Sequence, residues 1–402
     1  MAGADAAGEP VGLVLAGGGA RGAYEIGVLS LLLPALEERG YRPRVIVGTS
    51  VGALNAAYLA SVADVPAGEV VENAKRIWTG IRFEDVVEPI ASPGALARVG
   101  RYVGQFLGLR HRRLEALLDP SPLGDKINEV VQFDHIERNV DAGDLRAAAV
   151  VATSAASSRS VVFHRGGDPP ERDDKRGIDY VAAALTDEHV LASAAIPTVF
   201  PAVDVTSPRR ARGWYFDGGT RLNTPIKPAL SLGAKRIVVI GLNSIARPPA
   251  QLAGEDRPDA LEGFSQFVQA VLVDPLAHDV ATLATVNELV GAGGGGKDLI
   301  RYVFVAPEER DAIGRRARDV FQRHYSHLAD ALLVRDLPFL GRAVSAGSDP
   351  LHGELLSYLF FAPEFAESLW ELGRGDAERW LKGAHEDDIW ETGPLGPNPV
   401  AR

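Results

Sequence analysis

The chain has 402 residues, 46% hydrophobic and 24% charged, with a net charge of −11. Those are globular proportions, and the length suits one large domain with an extension, or two domains. The absence of cysteine excludes disulfides, thiol catalysis and thiolate metal sites. The acidic balance offers no overall basic field for nucleic acid or anionic lipid, although Arg110, Arg112 and Arg113 form a local basic group.

Residues 1–9 read as a flexible tail, small and acidic, without the positive start and apolar stretch of a signal peptide. No run of about 18 apolar residues follows, so no spanning helix is predicted. The expectation is a cytoplasmic protein, with membrane contact at most peripheral. Val11–Ala16 is a short buried strand that stops at a glycine run. Ala23 to Arg39 is helical, with Pro34 awkward inside it and Gly40 as the stop. Arg44-Val45-Ile46-Val47 is a second strand, and Val51 to Ser61 a second helix. Residues 64–140 are mostly helical with turns.

Ala147–Thr153 and Ser160–His164 are strands, 165–177 a polar loop, and Asp187–Ala195 a helix ending before Ile196-Pro197. Trp214-Tyr215-Phe216 is a strand running into Asp217-Gly218-Gly219, and Arg236–Ile240 another. A Pro-rich linker (247–258), a long helical pattern (261–290) and a glycine run (293–296) precede a last strand, Ile300–Val305. Beyond it lie helices and a loose tail from 384. The division predicted is a domain at 10–306 and a helical C-terminal extension at 307–402. Strands alternating with helices call for a mostly parallel sheet covered on both faces.

Two glycine motifs sit at strand-to-helix turns. Gly17-Gly18-Gly19-Ala20-Arg21-Gly22 satisfies the dinucleotide-binding pattern G-x-G-x-x-G. That reading also wants an acid at the end of the second strand. The acids available, Glu37 and Glu38, fall on the helix instead. Gly48-Thr49-Ser50-Val51-Gly52 fits a nucleophile elbow, in which a serine on a sharp turn holds its hydroxyl off the sheet edge. A serine N-cap flanked by glycines is the plainer alternative. Taken together, the two motifs suit acyl transfer. A serine attacks, and bare glycine amides meet the oxyanion that develops.

The serine needs a base. None of the nine histidines sits in a strand-end glycine setting. Asp217 does: it closes an aromatic strand and precedes two glycines that permit a tight turn. An ordinary Asp-Gly turn is the alternative. As a base, Asp217 would form a Ser–Asp dyad with Ser50.

These three strings, in this order, resemble the patatin-like phospholipase family. Ala192–Pro197 with Phe200-Pro201, and Leu222-Asn223-Thr224-Pro225, add to the likeness. It covers roughly 11–243 and reaches toward Val305. The resemblance implies a three-layer α/β/α sandwich with a mostly parallel sheet. It implies calcium-independent hydrolysis of lipid or phospholipid esters, with no cofactor or metal. Ser50 would be the nucleophile and Asp217 the proton acceptor. Gly17, Gly18 and Gly19, with Arg21 and Gly22 beside them, would form the oxyanion loop. Gly48 and Gly52 would shape the elbow, and Gly218 and Gly219 the aspartate turn.

Arg21 keeps two readings, steadying a phosphate or the loop, or pairing structurally with an acid. An acyltransferase using the same acyl-enzyme and a non-catalytic lipid-binding module are the rival functions. Oligomeric state is not legible. The apolar run 351–361, with Phe365, Leu369, Trp370 and Trp380, is either a lipid-facing stripe or a stripe packed on its own core.

Overall fold

In the computed structural model the described residues are 9–87, 118–197, 199–245, 299–325, 350–383 and 389–393. The expectations for residues 1–8, Arg110–Arg113, the linker, the helical pattern 261–290, the glycine run and the tail from 394 fall outside them.

The first strand, β1 (Val11–Leu15), is buried along its whole length. A glycine-rich turn leads into α1 (Gly22–Glu38), which runs through Pro34. Then come β2 (Pro43–Thr49), α2 (Val51–Ser61), α3 (Ala67–Gly80), α4 (Ser121–Val130) and α5 (Phe133–Ala142). The middle of the chain supplies β3 (Ala147–Ser154), β4 (Ser160–Gly166), β5 (Arg172–Asp173), β6 (Ile178–Ala182), α6 (Asp187–Ser193), β7 (Val203–Val205) and β8 (Gly213–Asp217). The rest is α7 (Ile226–Ser231), β9 (Arg236–Ile240), β10 (Arg301–Val305), α8 (Ala312–His324), α9 (Pro350–Leu359) and α10 (Pro363–Gly383).

Among the described residues ten strands form one sheet in the order β10-β9-β1-β2-β3-β4-β6-β5, with β8 added beside β3 and β7 beside β8. The half from β10 to β3 is parallel. The other half is mixed, because β4 and β8 both run antiparallel to β3. The polar loop predicted at 165–177 contains the two-residue β5, and β6 follows it; neither β6 nor β7 was expected from the pattern.

Strand residues alternate between two cores, as the period of two demands. Leu13, Leu15, Ile46, Val238 and Val303 join one core, with side chains from α1, α2, α3, α8, α9 and α10. Val14, Val45, Val47, Val239 and Phe304 join the other, with Ile226 and Ala229 of α7. A mostly parallel central sheet with apolar packing on both faces is the three-layer α/β/α arrangement. The C-terminal stripe turns inward: Leu356, Phe360, Phe365 and Leu369 are buried in the first core, and Trp370 and Trp380 pack against it. Among the described residues no helix is long and apolar enough to cross a membrane.

Candidate active site

Strand register explains why residues 50 and 217 meet. β2 lies along one edge of β3 and ends with Thr49 opposite Val151. β8 runs antiparallel to β3 and ends with Asp217 opposite Ala152, the next position along. β4 occupies the other edge of β3. Two strands thus share one edge end to end, and their C-terminal tips abut. The residues at those tips are Ser50 and Asp217, and the Ser50 hydroxyl donates to Asp217 Oδ2 at 2.6 Å.

Ser50 sits at φ 54°, ψ −123° between β2 and α2. For a side chain with a Cβ this is a strained conformation of the sort that persists at functional sites. It makes no side-chain cap to α2, so the N-cap reading does not describe its hydroxyl. The glycines around it are sterically required. A Cβ on Gly48 would strike the Gly52 carbonyl, and one on Gly52 would strike the Leu15 carbonyl. The Ser50 amide donates to Ser193 Oγ at 2.9 Å, and the Ser193 hydroxyl donates to the Val151 carbonyl at 2.5 Å.

Asp217 is buried, and its other carboxylate oxygen accepts the Gly219 amide at 2.6 Å. Its own amide donates to the Ala195 carbonyl at 2.8 Å. Gly218 has no room for a side chain, because a Cβ there would meet the Val151 carbonyl. Burial pushes the Asp217 carboxyl up to about 7, against the opposing pull of the Ser50 and Gly219 hydrogen bonds. Such a group exchanges a proton near neutral pH, the property a general base needs.

Parallel pairing of β1 with β2 sets Leu15 opposite Gly48, so the glycine loop lies beside the elbow. A Cβ on Gly17 would come within 3.0 Å of Ser50 Cβ. The Gly17 amide is engaged, donating to the Asn223 carbonyl at 3.2 Å. Among the described residues, no acceptor is bonded to the Gly18 or Gly19 amide. Gly19 has φ +61°, and a Cβ there would strike the Tyr358 carbonyl. Gly22 is closed in by Trp78 and Val51.

Arg21 takes its structural reading. It is fully buried, and its guanidinium donates to Ser357 Oγ (2.8 Å), Asn243 Oδ1 (2.8 Å), the Leu242 carbonyl (3.5 Å), the Glu354 carbonyl (2.9 Å) and Glu354 Oε2 (2.7 Å). It also lies over the Tyr358 ring, 3.9 Å from the centroid. Five donors meet five acceptors, which leaves none for a substrate phosphate or an oxyanion. Arg21 therefore belongs to the support of the loop.

The buried histidines are engaged elsewhere. His189 bonds Thr186 and the Ser207 carbonyl, and His164 bonds the Gly166 carbonyl. Burial pushes both imidazoles below their ordinary value. Among the described residues, no group of three or more His, Asp or Glu side chains could hold a metal ion.

Sequence reasoning missed the supporting residues. Ser193 is one, since a lone serine in an alanine-rich segment carries no signal of a bond to residue 50. Glu354 is another. A third is the Glu25–Asn55–Trp78 chain, which links the N-terminal parts of α1 and α2 to the end of α3; Asn55 donates to Glu25 Oε2 (2.7 Å) and accepts from Trp78 Nε1 (2.9 Å).

Lysophospholipase nte1 of Aspergillus terreus (strain NIH 2624 / FGSC A1156) is 53% identical over 88 residues, which is 21% of this chain and 6% of that protein. VipD from Legionella pneumophila matches 74% of this chain and 61% of its own at 14% identity and a TM-score of 0.31. The chain thus spans less than two thirds of either relative. The family described as patatin-like phospholipase matches residues 13–230, a span that contains the glycine loop, the elbow and the Asp-Gly-Gly turn. With more than half of its length matched, the chain belongs to the patatin-like phospholipase family.

Proposed function

We propose that this protein hydrolyses acyl esters of lipids or phospholipids through a Ser50–Asp217 dyad. The observation that carries the reading is the 2.6 Å bond from the Ser50 hydroxyl to a buried carboxylate, at an elbow with positive φ. Family membership supports lipid esters as the substrate class, and the name lysophospholipase on one relative points the same way.

In the first step Asp217 takes the Ser50 proton while Oγ attacks the ester carbonyl. The oxyanion is met by the Gly18 and Gly19 amides, and the positive end of α2 adds to their field. The Gly17 and Ser50 amides already have acceptors. Asp217 returns the proton to the departing alcohol, leaving an acyl ester on Ser50. It then activates a water that releases the fatty acid. One oxyanion donor is worth roughly 3 kcal/mol of barrier.

Ser50→Ala and Asp217→Asn test the reading on a panel of soluble esters and phospholipids. Both variants should lose turnover by several orders of magnitude while remaining folded, and a fluorophosphonate probe should label only chains that retain Ser50. Full esterase activity in Ser50→Ala would end the proposal. Transfer of the acyl group to an added alcohol in preference to water would make the enzyme a transferase on the same intermediate.

A further inference from the structure

Beyond the dyad, the carboxyl edge of the sheet carries a projecting hairpin that nothing in the proposed chemistry uses. β7 and β8 pair antiparallel, Val203 opposite Tyr215 and Val205 opposite Gly213. β8 overlaps β3 only at the β3 end, Ser154 opposite Tyr215, and the Ala155 amide donates to the Trp214 carbonyl at 2.9 Å. The strand therefore comes into the sheet from beyond the edge where Ser50 sits. Trp214 is three residues before Asp217, or about 10 Å along an extended strand.

The hairpin presents an unusual surface. Trp214 is 59% exposed and is one of two large hydrophobic side chains exposed among the described residues. Before it, Pro208-Arg209-Arg210-Ala211-Arg212-Gly213 carries three arginines, and no acid occurs between Asp204 and Asp217. The turn is held firmly. Ala211 is buried, and the buried Tyr215 donates its hydroxyl to the Ala211 carbonyl at 2.6 Å. With Ala211 and Tyr215 pinned inward, Arg209, Arg210, Arg212 and Trp214 are left in solvent.

Among the described residues Arg209 and Arg212 make no ion pair, and Arg210 approaches only the exposed Glu171 at 3.9 Å. The other acids beside it are Asp204, opposite Trp214, and Glu188, which accepts from the Thr206 amide and hydroxyl. An exposed indole beside three guanidinium groups that share a single long ion pair suits the headgroup layer of a membrane, apolar ring inward and cations toward phosphate.

The overall charge of −11 does not forbid this. Exposed charges more than about 8 Å away are screened at physiological salt, so a surface in contact with the tip feels the arginines and the few acids beside them rather than the charge of the whole chain. We propose that the β7–β8 hairpin docks this protein on an anionic lipid bilayer, with Trp214 in the headgroup layer and the three arginines on anionic headgroups. The idea rests on the reading of Ser50 and Asp217 as a lipid-ester dyad, which the docked edge would bring to the membrane.

The test is co-sedimentation of the full chain with vesicles of phosphatidylcholine alone or mixed with phosphatidylglycerol. Soluble short-chain ester hydrolysis is measured in parallel. Binding should require phosphatidylglycerol and weaken with salt. Each arginine near such a surface is worth roughly fivefold, so Arg209→Gln/Arg210→Gln/Arg212→Gln should bind about 100-fold more weakly. Trp214→Ala should also bind more weakly, and brominated lipid should quench tryptophan emission of the wild type but not of Trp214→Phe. All variants should keep the soluble-ester rate.

Unchanged vesicle binding by the triple variant, or equal binding to neutral vesicles, overturns the docking surface. So does an affinity for some protein without any for vesicles. A wild type that binds anionic vesicles but cleaves no ester would instead remove the dyad reading and leave the surface standing.

Discussion

The raised carboxyl of Asp217 makes the enzyme's pH dependence a sharp test. The carboxylate proposed as the base must be ionised, and burial holds it at about 7, where an ordinary aspartate sits at 3.8. On a soluble ester, kcat/KM should rise with unit slope in log scale up to about pH 7 and then level. At pH 5 it should stand roughly 100-fold below the plateau, since each unit below the midpoint cuts the ionised fraction tenfold. An ordinary carboxyl would give a flat profile over the same range, and that flat profile would refute the argument. Stability should move the opposite way. A folded-state value raised above the unfolded one stabilises fully below pH 3.8, and the benefit is lost as pH climbs through about 7. A shift of about three units amounts to about 4 kcal/mol. Glu25, held at about 8 by burial, adds a loss of the same sign. Asp217→Asn carries no charge to bury, so it should be inactive yet melt higher than wild type at pH 8, with the gap closing toward pH 4. A melting temperature equal to or below wild type at pH 8 would show that the carboxylate is not paying a desolvation penalty.

Two further outcomes concern the supports of the site. Glu354→Ala removes the carboxylate partner of a fully buried guanidinium and should cost about 3–5 kcal/mol in chemical denaturation; Glu354→Gln, which keeps an acceptor at the same place, should recover part of it. Ser193→Ala orphans the Ser50 amide and the Val151 carbonyl. It should cost about 1–3 kcal/mol of stability and lower kcat more than it raises KM, because the elbow loosens while the rest of the cleft stays.

Legibility followed how local the information is. β1, β2 and β9 are apolar runs stopped by glycine, and the helices after the first two start where glycine and serine mark a turn. β6 reads Ile-Asp-Tyr-Val-Ala and alternates only partly, and β7 is three residues long, so neither offers enough periodicity to stand out. The Ser50–Asp217 contact was legible because each residue sits at a strand end with glycines, a signature a few residues wide. Their supports could not. Ser193 lies 143 positions from Ser50, and Glu354 lies 333 from Arg21. Only the folded chain brings those pairs together. Arg21 kept two readings for the same reason: its meaning depends on an acid on a helix near the other end.

That dependence changes how the glycine loop is understood. Glycine is the residue least able to hold its own conformation, yet the oxyanion role proposed for these amides needs them not to move. Here rigidity comes from outside. The Gly17 amide is tied to the Asn223 carbonyl, Gly18 rests on Leu242, and Gly19 lies beneath the Tyr358 carbonyl. Arg21, one residue inside the turn, joins Leu242 and Asn243 after β9 to Glu354 and Ser357 on α9. Farther along, α1 meets α10 backbone to backbone, Gly27 against the Trp370 carbonyl and Gly373 against the Tyr24 carbonyl, with the Tyr24 hydroxyl bonded to Asp376 at 2.7 Å. The helices past the last strand thus grip both the loop and the helix it feeds. A loop of bare amides can be both unobstructed and fixed because its constraints reach it through neighbouring backbone and one buried arginine, and part of that constraint is supplied by the C-terminal helices.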